Sequence, residues 1–72
     1  MGSAQDRIME LARDMGEFST SQMASQIYGD NYRIYDLQNT YAKLAKLVAW
    51  GDLIKVGKRR VNSQMQIIWR VA

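Results

Sequence analysis

DNYRIYDLQNTYAKLAKLVAWG, from Asp30 to Gly51, reads as one long amphipathic helix. Ile34, Leu37, Tyr41, Leu44 and Val48 recur at spacings of three and four, which lines them along one helical face. Asp30 or Asn31 supplies a cap at its start. Gly51 follows the last apolar turn, where a left-handed residue commonly ends a helix. The opposite face carries Tyr32, Tyr35, Asn39, Ala42, Lys43 and Lys46, with Asp36 as its one negative charge. A helix that serves only as scaffold fills such a face with Glu and Lys. This one presents tyrosines, an amide and two amines, which is the composition of a contact surface.

The flanking sequence supplies a frame for that helix. Residues 4–15 form a first helix with Ile8, Leu11, Ala12 and Met15 inward, and Ser3 with Asp6 has the spacing of a capping box. Gly16 ends it. Glu17-Phe18-Ser19 is a short extended link in which Phe18 anchors the core, and a minimal strand here can pair with a later hairpin. Ser19 to Tyr28 is a second helix, with Ser19 and Gln22 as a second capping box and Met23, Ala24 and Ile27 inward. Its start carries Thr20 and Ser21, where free backbone N–H groups attract phosphate oxygens. After the long helix, Asp52–Val56 is a strand, Gly57–Gln64 a polar turn, and Met65–Val71 the returning strand. Trp69 belongs to the core, Trp50 packs under the hairpin, and the methionines fill gaps.

Composition bounds what such a chain can do. At 72 residues it is one domain, with residues 1–3 reading as an expression scar. It has no Cys and no His, which excludes a Cys/His zinc site and any imidazole-based relay. No cofactor or metal is expected, and no apolar run is long enough to span a bilayer. Seven acids are spread along the chain without an evident pair, and no Gly-rich phosphate loop is present, so an enzyme is not expected. The absence of Cys and of a signal pattern fits a cytoplasmic protein, nucleoid-associated in a prokaryote or nuclear in a eukaryote. The net charge of +3 is unevenly placed. Residues 52–72 set Lys55, Lys58, Arg59, Arg60 and Arg70 against Asp52, while residues 1–51 are nearly balanced. A basic end on a balanced chain points to a polyanion.

The order helix, short strand, helix, turn, helix, hairpin resembles the winged helix-turn-helix family over nearly the whole chain. STSQMASQIYG (Ser19–Gly29) is similar to that family's second helix, LAKLVAWGDLI (Leu44–Ile54) to the end of its third helix running into the first wing strand, and KVGKRR (Lys55–Arg60) to a basic wing. The stretch from Ala24 to Leu44 is several residues longer than in compact members, which leaves the start of the third helix open between Asp30 and Asn39. The resemblance implies an α+β fold of three helices and a two-stranded wing. It implies double-stranded DNA binding, with the third helix in the major groove and the wing on the backbone or minor groove, in a transcriptional regulator or part of a larger protein.

On that reading the DNA-contacting residues are Thr20, Ser21, Asn31, Tyr32, Arg33, Tyr35, Asn39, Lys43, Lys46, Lys58, Arg59 and Arg60. Asn39 suits adenine and Arg33 suits guanine, while the lysines and wing arginines neutralise phosphates. Asp36 either accepts from a base or is simply solvated. A module this small binds weakly alone, so a homodimer or a larger parent protein is expected. The alternative is a winged helix used for protein contact or dimerisation, since exposed tyrosines also suit protein interfaces. The basic wing favours DNA.

Overall fold

The computed structural model describes residues 4–61 and 63–72. The proposed Ser3 cap, the residues read as a scar and Asn62 lie outside the described residues. Three helices and three strands follow in the order α1 (Ala4–Met15), β1 (Phe18–Ser19), α2 (Thr20–Tyr28), α3 (Ile34–Ala49), β2 (Leu53–Val61) and β3 (Gln64–Val71). The sheet is antiparallel with strand order β1-β3-β2. The fold is therefore α+β, with a winged-helix-like arrangement of three helices and a terminal hairpin. The short strand after the first helix is present, pairing Phe18 with Trp69 and Ser19 with Ile68.

Each element follows from local chemistry. Ser19 caps α2 by accepting from the Gln22 N–H at 3.2 Å, and its own N–H donates to Gln22 Oε1 at 2.7 Å, the full capping box that the sequence announces. Gly29, at φ 87° and ψ 175°, closes α2 in a conformation that side chains disfavour. α3 ends as a Schellman motif. The Gly51 N–H reaches Val48 O at 3.0 Å and the Asp52 N–H reaches Leu47 O at 2.9 Å, with Gly51 at φ 86°.

The core comprises Ile8, Ala12, Phe18, Met23, Leu44, Leu47, Leu53 and Trp69. Trp69 is its largest side chain and is fully buried. Its indole N–H donates to Thr20 Oγ1 at 2.9 Å, so the ring's one polar atom is satisfied inside.

Four expectations from the sequence need correction. First, α3 begins at Ile34 and not at Asp30, and its cap is neither Asp30 nor Asn31. The Arg33 N–H donates instead to Asp36 Oδ2 at 2.9 Å. Second, the buried seam of α3 is Thr40, Leu44 and Leu47, with Leu37 and Val48 half-buried. Ile34 is 74% exposed and Tyr41 is 41% exposed. Thr40 can be buried because its hydroxyl donates to Asp36 O at 2.8 Å, a saturation that hydropathy does not register. Ile34 is the first residue of the helix, beyond the reach of the core. Third, Trp50 does not pack under the hairpin. It is 60% exposed at the end of α3, beneath the Lys46 ammonium. Fourth, the hairpin turn is short. Residues expected in a polar loop continue the ladder, with Lys58 opposite Ile67, Arg59 opposite Gln66 and Arg60 opposite Met65. The register shifts between Lys55 and Gly57, leaving Val56 as an extra residue on β2, a bulge that bends the hairpin.

Candidate nucleic-acid interface

Helical spacing fixes what α3 presents outward. With Thr40, Leu44 and Leu47 inward, the face opposite carries Tyr35, Gln38 and Ala42, with Asn39 at its edge, all exposed. Gln38 was not singled out from the sequence, because a seam drawn through Tyr41 turns it toward the flank. The adjacent amide pair Gln38-Asn39 was the signal available. Asp36 is not a reader on this face: its carboxylate accepts the Arg33 N–H. The open face thus carries no acid.

Cations stand on both flanks of that face. One flank follows the spacing Asn39, Lys43, Lys46, Trp50. Lys43 is half-buried and Lys46 exposed, its Nζ 5.8 Å from the Trp50 ring centroid. The other flank, through Leu37, Gln38 and Tyr41, faces the hairpin across an open cleft completed by Thr20, Gln64, Met65, Gln66 and Ile67. Tyr41 closes the base of that cleft, edge-on to Trp69 with centroids 5.7 Å apart.

The three consecutive basic residues of the wing do not act as one row. Residues directly opposite in an antiparallel ladder share a face. Lys58 and Arg60 share theirs with Ile67 and Met65, which line the cleft beside α3. Arg59 shares the opposite face of the ladder with Gln66, whose Oε1 accepts the Ser21 N–H at 3.0 Å. There its guanidinium forms an ion pair with Glu17. The two-residue period of a strand separates what a loop would have kept together.

The remaining candidates are placed as follows. Thr20 and Ser21 are buried, contrary to the expectation of an open helix start. Thr20 Oγ1 receives the Trp69 indole, the Ser21 N–H is taken by Gln66, and the Gln22 N–H is taken by Ser19. Asn31 is exposed in the turn before α3. Tyr32 is half-buried and lines a second, polar cleft with Glu17, Ser25 and Asp30, away from the open face of α3. Arg33 is exposed on extended backbone ahead of the helix.

Among the described residues, no helix is long and apolar enough to cross a membrane, and no cluster of His, Cys, Asp or Glu has the makings of a metal site. Comparisons with protein-family models, with curated proteins and with solved structures find no match to this chain.

Proposed function

We propose that this chain is a double-stranded DNA-binding module of the winged helix-turn-helix type, acting as a transcriptional regulator or as the DNA-binding part of a larger protein. One observation carries the reading: an acid-free face of α3 is flanked by Lys43 and Lys46 on one side and by Lys58 and Arg60 on the other. A helix lying in a major groove has a phosphate backbone along each side, and paired cationic flanks match that arrangement. Tyr35, Gln38, Asn39 and Ala42 then meet base edges. Arg33 and Asn31, at the leading end, meet backbone or flanking bases. Arg59, held by Glu17, contributes less than its neighbours. Thr20 and Ser21 contribute by packing. A single module of this size gains affinity from a second copy or from a parent protein.

Protein contact is the competing reading, and the apolar wall of the cleft (Leu37, Tyr41, Met65, Ile67) favours it. The paired cations weigh against it, because a hydrophobic partner has no need of them. A fluorescence-anisotropy titration of labelled random-sequence duplex at two salt concentrations separates the two. Micromolar binding that collapses as salt rises is the expected result. No binding at low salt overturns DNA binding and directs the search to a protein partner for the cleft.

A further inference from the structure

The open face of α3 has a chemical bias of its own. Gln38 and Asn39 are both exposed, Gln38 near its middle and Asn39 on the edge shared with Lys43 and Lys46, with exposed Ile34 one turn before Gln38 and exposed Ala42 one turn after. A carboxamide offers one donor group and one acceptor side by side, which matches N7 and the N6 amino group of adenine. Guanine instead presents two acceptors and is met by Arg or Lys, and cytosine presents a donor and is met by a carboxylate. Neither requirement is met on this face from Ile34 to Ala42. Lys43, Lys46, Lys58 and Arg60 stand at its flanks, Arg33 stands ahead of the helix and off its register, and the Asp36 carboxylate accepts the Arg33 N–H. Ile34 is 74% exposed, an apolar side chain held out in solvent. An aliphatic group beside a carboxamide is the complement of thymine, whose C5-methyl lies next to the edge of its paired adenine.

We propose that α3 reads A·T pairs from the major-groove side, Gln38 and Asn39 bonding adenine while Ile34 and Ala42 pack on thymine methyl groups. This inference rests on the DNA-binding reading above and narrows its ligand to duplex containing an A·T core.

The test uses duplexes of equal length, titrated by anisotropy at one low salt concentration: alternating A·T, alternating G·C, alternating inosine·C, and A·T with deoxyuridine in place of thymidine. Inosine·C has the major-groove edge of G·C and the minor-groove edge of A·T, so it reports which groove is read. Deoxyuridine removes only the C5-methyl. The A·T duplex is expected to bind about tenfold more tightly than G·C. Inosine·C should behave like G·C, and deoxyuridine should lose several-fold. The double variant Gln38→Ala/Asn39→Ala should abolish the difference between A·T and G·C, with circular dichroism checking its fold. The duplex comparisons need only the unaltered protein, so they stand even if that variant does not fold. Equal affinity for A·T and G·C overturns the inference and leaves DNA binding intact, as does inosine·C binding like A·T. An unchanged affinity on removing the methyl overturns the role of Ile34 and Ala42. Failure to bind any duplex overturns the DNA-binding reading itself.

Discussion

Thr20 shows how one hydroxyl can be claimed by the interior. At the sequence level it sits at a helix start and looks available to phosphate. In the fold its Oγ1 accepts the Trp69 indole N–H, on a residue at 0% exposure. Thr20→Val keeps the shape and removes the acceptor, leaving a buried donor unsatisfied. That should cost about 1–3 kcal/mol in urea unfolding followed by far-UV circular dichroism. A change within error of zero would show that the indole finds another acceptor. Gly29 makes a different case. A Cβ there would meet nothing within 4 Å, so Gly29→Ala tests backbone conformation alone. At φ 87° and ψ 175° the cost should be about 1–3 kcal/mol by the same measurement.

For the elements, the wing offers the sharpest separation. β2 carries Lys58, Arg59 and Arg60 in succession, and strand alternation turns the middle one to the other face, where Glu17 holds it. Each phosphate contact contributes about 0.9 to the slope of log affinity against log salt. Lys58→Ala/Arg60→Ala should therefore lower that slope by about 2 and weaken binding on every duplex alike. Arg59→Ala should lower it by less than about 1. If Arg59→Ala matched the double variant, the assignment of the two wing faces would be wrong. α3 shows a related ambiguity between elements of one periodicity. Two seams, through Tyr41 and through Thr40, both fit a helical repeat, and the packing of α2 and the sheet selects the second.

For the whole molecule, the small size governs what substitutions do. A chain of 72 residues has about 4–11 kcal/mol of stability at the usual 0.05–0.15 kcal/mol per residue. Leu44 is fully buried within the core cluster. Leu44→Ala should cost about 2–5 kcal/mol and lower the melting temperature by more than about 10 °C in a circular-dichroism melt. A smaller shift would mean that the core collapses around the deleted methyl groups. The same smallness makes the surface decisive. With most of the interior given to holding α3 and the hairpin in register, the distinguishing chemistry lies on the open face of α3 and the cleft beside it.

The sequence alone specifies the order and type of each described element, because the signals are local. Capping at Ser19, glycines at residues 16, 29 and 51, and the apolar repeats of α1 and α2 act within a turn or two of chain. It also determined the basic hairpin and the absence of Cys and His chemistry. Packing in three dimensions settles which seam of α3 is buried, where that helix begins, that Trp50 is outside while Trp69 is inside, and that Arg59 turns away from its neighbours. The buried seam, the place of Trp69 and the turn of Arg59 go with contacts between residues distant in sequence: Trp69 with Thr20 and Tyr41, Gln66 with Ser21, and Arg59 with Glu17. Periodicity states that a helix has an apolar side, but several sides can qualify when Thr and Tyr both border it. The neighbour that arrives across the fold makes the choice.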